Sequence, residues 1–205
     1  MSSFLDELAR RVLVFDGAMG VSLQERNLTL EDFDGLEGCN EILVRTRPDV
    51  LQDLHAAFLD VGVDAVETDS FGGAPWVLDE YGLGEDTEEL NRLSAEVARR
   101  ACDEASGQRW VIGSIGPGTR SPTLSLTKGP EAGDWIDFDT MVAGYIRQVR
   151  GLLAGGSDVL IIETAFDLLQ VKAAVAACHD AMQAEGVTVP IIASVTIEQG
   201  INTML

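Results

Sequence analysis

Two hydrophobic rhythms alternate along the chain. Short runs of apolar residues with no polar alternation occur at 12–15 in "RVLVFDGAMG", in "DAVETDSFGG" from 64, in "RWVIGSIGPG" from 110, in "SDVLIIETAFD" from 158 and in "TVPIIASVTIE" from 189. Runs of this kind predict strands buried on both faces. Between them lie helical patterns. Residues 3–10 form a short lead-in helix with Ser2 and Ser3 as cap candidates, and Pro48 opens a helix whose stripe is Val50, Leu51, Leu54, Phe58 and Val61. A helix over 87–105 carries Leu90, Leu93, Val97 and Ala101, and another fills 139–156. Asp167 caps a last one, 168–186, with a stripe of Val171, Val175, Cys178 and Met182. Residues 28–46 have neither rhythm. The pattern predicts a parallel sheet covered by helices. Strand starts roughly 30 to 50 residues apart suit a barrel with elaborated loops better than a compact open sheet.

The polar residues that end these runs are the candidate chemistry. Asp16, Glu67 and Glu163 each close an apolar run, and "GVDAVETDSF" and "GSDVLIIETAF" echo one another, so the three acids stand at the carboxyl ends of strands. In parallel barrels and open α/β sheets that edge is where ligands bind. Asp16 has two readings: it tightens the Gly17–Gly20 turn by accepting backbone N–H groups, or it faces a pocket and binds an amine. Glu163 can fix an ammonium, act as a base or form a structural salt bridge, and Glu67 is its shorter-strand counterpart. The loop "GSIGPGTRSPT" is either an anion nest or a stiff turn, with Arg120 as a carboxylate partner or a surface residue.

Other motifs are missing. There is no G-x-G-x-x-G, H-E-x-x-H, C-x-x-C or G-x-S-x-G. His55 and His179 sit on covering helices and carry no local ligand spacing, while Cys102 and Cys178 read as structural and Cys39 as a loop thiol open to reaction.

Composition narrows the class. At 205 residues and 46% hydrophobic, the chain is expected to be one domain, 1–205. Three cysteines do not make a disulfide scaffold, which favours a reducing compartment and a cytoplasmic location. No apolar stretch approaches a membrane span. A formal charge of −20, concentrated locally at 131–139, argues against nucleic acid as a partner.

Taken together, "VFDGAMG", "LEGCNEIL", "RPDVLQDLHAAFLDVGVDAVETDSFG", "GSIGPGTRSPT", "SDVLIIETAFDLLQVKAAV" and "PIIASVTI" resemble, in order, the homocysteine S-methyltransferase family. Within it they look most like the N-terminal homocysteine-binding module of cobalamin-dependent methionine synthase. The resemblance implies a (β/α)8 TIM barrel, α/β in class, of which this chain holds about the first five βα units. It places Asp16 and Glu163 around the amino acid part of homocysteine, with Asp69, Ser70 and Phe71 at the same mouth and Arg120 in the family's Gly-Pro-Gly-Thr-Arg loop.

The resemblance also implies a zinc held by three cysteines that activates the homocysteine thiol, methylcobalamin as methyl donor, and a cobalamin-binding module as partner. Cys39, Cys102 and Cys178 match none of those ligands. The chain is therefore expected to be a truncated part of a longer enzyme, with no zinc or cobalamin of its own and little activity alone. Two alternatives stand beside this reading. One is a betaine- or S-methylmethionine-dependent homocysteine methyltransferase, and the other a non-catalytic fragment that self-associates through open sheet edges.

Overall fold

The computed structural model describes residues 3–123 and 135–197. Ser2, the acids at 131–134 and the end of the last apolar run at 198 lie outside the described residues.

Four parallel strands form one sheet in chain order: β1 (Ala65–Glu67), β2 (Trp110–Ile115), β3 (Val159–Ala165) and β4 (Ile191–Val195). The helices are α1 (Phe4–Leu8), α2 (Met19–Gln24), α3 (Leu43–Thr46), α4 (Pro48–Asp60), α5 (Pro75–Leu78), α6 (Thr87–Glu104), α7 (Phe138–Ala154) and α8 (Leu168–Glu185). Among the described residues strand order never reverses, so they form no switch point of a doubly wound sheet. The sheet is the wall of an open (β/α) barrel, as the sequence pattern predicts.

The expected first strand over 12–15 is reduced to a parallel bridge between Phe15 and Ala65. Val14 accepts the Ala65 N–H and Asp16 donates to the Ala65 carbonyl, but the Glu67 N–H, where the next rung would form, goes to the Asp16 side chain, so the ladder stops there. Val12 and Val14 are accordingly exposed rather than buried on both faces.

The repeated Gly-Asp-apolar pattern has a structural cause at its other end. Asp64 accepts the Val14 N–H at 2.9 Å and pairs with both Arg11 guanidinium nitrogens at 2.9 and 2.7 Å. Asp158 accepts the Val111 N–H at 2.8 Å and pairs with Arg99 at 2.8 Å. Each aspartate thus ties the start of its own strand to the preceding chain segment, while Glu67 and Glu163 emerge from the opposite ends. One repeated pattern sets both the strand register and the position of the site.

Inside the sheet, Leu13, Ala65, Trp110, Ile112, Val159 and Ile161 pack against Phe4 of α1, whose ring meets Trp110 edge-on at 5.7 Å. Ser3 caps α1 with a reciprocal bond to Asp6. The lead-in helix therefore plugs the amino-terminal end of the wall. Outside, Ile115, Leu160 and Ile162 pack beneath α7 and α8 around Trp76 and Tyr145, whose rings meet edge-on at 4.8 Å.

Two predicted helix stripes shift. Val61 is 81% exposed because α4 ends at Asp60. In α8 the fully buried face is Ala173, Ala174, Ala177, Cys178 and Ala181, with Val171 and Val175 only partly buried. Small side chains bring α8 close to its neighbours, so the line of contact runs along the alanines. Asp167 does cap α8, accepting the Leu169 and Gln170 N–H groups. No helix among the described residues is long and apolar enough to cross a membrane.

Candidate functional site

At the carboxyl ends of the strands lies a cavity of about 260 Å³ lined by Asp16, Gly17, Ala18, Met19, Gly20, Asn40, Glu41, Glu67, Thr68, Asp69, Phe71, Ser114 and Glu163. Five of these are carboxylic acids and none is lysine or arginine.

Each acid is held by a different element. Asp16 accepts the Glu67 N–H at 2.8 Å, so it stitches the first segment to β1 and lines the cavity as well. The backbone N–H that Asp16 accepts thus comes from β1 and not from the Gly17–Gly20 turn of the first reading, while its place in the lining is the one the second reading requires. Glu67 ends β1. Beyond it, the Thr68 hydroxyl lies 2.6 Å from that of Ser70 and accepts the Ser114 N–H at 2.9 Å, and the Ser70 hydroxyl donates to the Ser114 carbonyl at 2.8 Å. This buried hydroxyl ladder joins the tips of β1 and β2. Ser114 in turn donates its hydroxyl to Glu163 Oε1 at 2.5 Å.

Glu163 is set by backbone as well. The β3–β4 register shifts between Ile162 and Ala165, and Thr164 adopts a left-handed φ of 55°. A β-branched residue rarely takes that conformation, and a bulge beside a site re-aims the side chains around it. On the opposite wall, Glu41 accepts the Gly72 N–H at 2.7 Å, which brings the irregular 28–46 segment against the loop after β1.

Electrostatics follow from this crowding. Burial, then Glu163 and Asp16, push the Glu67 carboxyl up to about 7. Burial, then Glu41, push Asp69 well above the usual carboxylate range, and burial also raises Glu41. The Asp69 Oδ2 atom is buried and has no hydrogen-bond partner among the described residues. Clustered acids in a partly dry cleft resist ionising together. Such a cleft favours a cationic group that neutralises them.

Of the residues singled out in the sequence, Asp16, Glu67, Asp69, Phe71 and Glu163 meet in this cavity. Ser70 is buried beneath it in the hydroxyl ladder. Arg120 is elsewhere, in an outer groove with Pro75, Trp76, Asp79 and Arg147. Past the end of β2 no residue of the Gly-Pro loop lines the cavity, and the loop is tied elsewhere: its Gly116 and Pro117 carbonyls accept from Tyr145 and Gln170, and Ser121 and Thr123 donate to Asp167. It is a fastened turn.

Sequence reasoning passed over Asn40, Glu41 and Ser114 as site residues and set His55 aside as uninformative. His55 is 1% exposed, with Nδ1 3.7 Å from Asp16 Oδ2. Helical position shows that His55 faces inward, but nothing local shows which acid it meets.

The cysteines fail the test for a zinc set. Cys39, Cys102 and Cys178 lie in three separate core clusters, and burial pushes each thiol up to about 12. The loop thiol of Cys39 is fully buried rather than open to reaction. Among the described residues no group of three or more His, Cys, Asp or Glu is arranged to hold a metal ion. The residues here do not fit the zinc that the resemblance implies.

The fold is shared with solved structures of the homocysteine methyltransferase MmuM from Escherichia coli. The metallated form superposes with a TM-score of 0.73 at 21% identity, over 97% of this chain and 68% of that one. The apo form gives 0.66 at 20% identity. Among curated proteins, methionine synthase of Mycobacterium tuberculosis is 43% identical over 200 residues, covering 96% of this chain and 16% of that protein, and its Mycobacterium leprae counterpart is 42% identical. The chain thus spans about a sixth of the length of these relatives.

These matches correct part of the sequence reading. They hold at the level of the family, and the solved structures sharing the fold are of a homocysteine methyltransferase. The narrower expectation, a cobalamin-dependent synthase module with methylcobalamin as donor and a cobalamin-binding module as partner, is overturned by that finding. The family model described as homocysteine S-methyltransferase matches residues 13–205, and this chain belongs to that family.

Proposed function

We propose that the acidic cavity is the homocysteine-binding mouth of a homocysteine S-methyltransferase, and that the methyl donor is a small onium compound of the betaine or S-methylmethionine kind. The observation that carries the reading is the convergence of Asp16, from the segment bridged to β1, Glu67, from the end of β1, and Glu163, from β3, on one amino-acid-sized cavity with no basic side chain in its lining. Asp16 and Glu163 take the ammonium of the amino acid, each fixed beforehand by a hydrogen bond from the scaffold. Preset acceptors lose little freedom when the ligand arrives.

Glu67 supplies the exchangeable proton. In the empty cleft it is partly protonated at neutral pH, and an arriving ammonium favours its ionised form. Phe71, 46% exposed at the rim, offers an aromatic face to a cationic methyl donor. Negative charge in the lining attracts a cationic donor of this kind. Transfer of its methyl group forms the S–CH3 bond as the bond from that methyl carbon to the onium atom breaks; the electron pair of the broken bond leaves the donor neutral at that atom, and the thiol proton passes to solvent.

The test is calorimetric titration with homocysteine and with 4-mercaptobutanoate, which keeps thiol and carboxylate but lacks the amine. Homocysteine should bind at least about tenfold more tightly, and Asp16→Asn or Glu163→Gln should remove most of that difference. Equal affinity for the two compounds would overturn the reading.

A further inference from the structure

Behind the acidic mouth stands a group that the binding scheme does not use. His55 projects from the inner face of α4, is 1% exposed, and its Nδ1 atom has no hydrogen-bond partner among the described residues. A buried polar atom left unpaired is costly, so its position calls for a physical reason. Its nearest acidic neighbour is Asp16 Oδ2, at 3.7 Å, and the Asp16 side chain is itself only 2% exposed.

Asp16 makes that neighbour meaningful. One of its oxygens, Oδ1, is taken by the Glu67 N–H. The other is open to two directions: His55 from the core side, and the cavity that Asp16 lines. At 3.7 Å the imidazole and carboxylate are beyond hydrogen-bond length, and a displacement of about 0.8 Å brings them within it. That is a small rotation of one side chain.

We infer that His55 is the positioning residue of the ammonium anchor: it donates Nδ1–H to Asp16 Oδ2, closing the carboxylate's second contact and locking it toward the cavity when an amine binds. The inference rests on the reading of Asp16 as an amine anchor. It assigns α4, which contributes no cavity-lining residue, a part in substrate affinity. A carboxylate held at Oδ1 alone can swing about that bond, whereas one held at both oxygens cannot. The buried position of His55 keeps water from competing for the contact.

The experiment measures homocysteine affinity of the full chain by calorimetry, with thermal melts alongside, for His55→Leu, His55→Asn, His55→Gln, Asp16→Asn and the Asp16→Asn/His55→Leu double variant. Asparagine can place an amide donor where Nδ1 stands, while glutamine places it where Nε2 stands. His55→Leu and His55→Gln should weaken binding about tenfold, whereas His55→Asn stays within about threefold of the parent. The melt of His55→Leu should be unchanged or higher, because an apolar isostere of a buried polar group is often neutral or stabilising.

The double variant should bind no worse than Asp16→Asn alone, since His55 acts only through Asp16. Should His55→Leu fail to fold, the Asn and Gln variants still decide, because a purely structural histidine gives no reason for one amide to restore affinity and the other not. Equal affinity of His55→Asn and His55→Gln, or a double variant that loses both effects in full, overturns the inference. If Asp16→Asn weakens binding and the His55 variants do not, this inference alone falls. If Asp16→Asn leaves binding unchanged, the amine-anchor reading falls and takes this one with it.

Discussion

Glu67 is the residue at which the site and the stability of the fold oppose each other. Its carboxyl is pushed up to about 7 by burial and by Glu163 and Asp16, against an unfolded value near 4.5. A group whose folded value is raised contributes stability that is complete below the unfolded value and is lost as pH rises through the folded one. Glu67 therefore weakens the fold progressively between pH 4.5 and 8. Glu67→Gln should leave the melting temperature unchanged at pH 4.5 and raise it at pH 8, where the gain in stability is about 1–2 kcal/mol once solvent at the mouth is allowed for. For binding the sign is opposite. An ammonium ligand prefers the ionised group, so homocysteine affinity should rise from pH 6 to pH 8 with release of a proton. Calorimetry in buffers of different ionisation enthalpy reads that proton directly, and Glu67→Gln should abolish the pH dependence. Ser114 offers a cleaner separation, since its hydroxyl donates to Glu163. Ser114→Ala should weaken homocysteine binding about five- to tenfold with little change in the melt, because Glu163 at the mouth can turn to water.

At the scale of elements, helix contacts depend on residues that hydrophobic periodicity does not register. A Cβ on Gly151 of α7 would stand 2.3 Å from the Glu88 carbonyl oxygen of α6, and one on Gly155 would stand 2.3 Å from that of Arg92. Alanine is the better helix former by about 1 kcal/mol, yet Gly151→Ala should destabilise by about 2 kcal/mol or more in denaturant unfolding, because backbone must move to admit the methyl group. The alanine seam of α8 belongs to the same class of contact. These elements explain which parts of the molecule were legible beforehand. Apolar runs locate β1 to β3 because burial leaves no other composition, whereas β4 is half-buried to exposed along its length, so its run marks a strand without marking burial on both faces; acids at the ends of such runs share one edge once the sheet is parallel. Glu41 was not legible: it lies in a segment without periodicity, and its place depends on the Gly72 N–H, 31 residues away. Val12 and Val14 mislead for the converse reason, since an apolar run shows the capacity to pair and not which group, here the Asp16 carboxylate, takes the neighbour's next N–H.

For the molecule as a whole, the governing fact is the imbalance of 34 acids against 14 basic residues. The arginines do what they can locally: Arg11 bridges Glu7 and Asp64, Arg45 bridges Asp86 and Glu89, Arg47 bridges Asp32 and Asp49, and Arg99 bridges Asp103 and Asp158. Each of these pairs is partly exposed, so solvent screens it and it contributes little to stability. The remaining acids repel one another over longer distances, and that repulsion acts on the compact state more than on the expanded one. Salt separates the two effects. At about 0.1 M the screening length is near 10 Å, several times the length of a close ion pair but shorter than the span of the charged surface. Added sodium chloride should therefore relieve the repulsion before it dissolves the pairs, and the melting temperature should rise between low salt and about 0.5 M. Were the ion pairs dominant, the melt would fall instead. The same titration bears on the mouth, where an ammonium ligand is drawn in by this negative field: homocysteine, a zwitterion, should lose little affinity with salt, whereas a net cationic onium donor should lose several-fold. A scan of binding against salt for both compounds therefore tells the field of the whole protein apart from the contacts of the cavity.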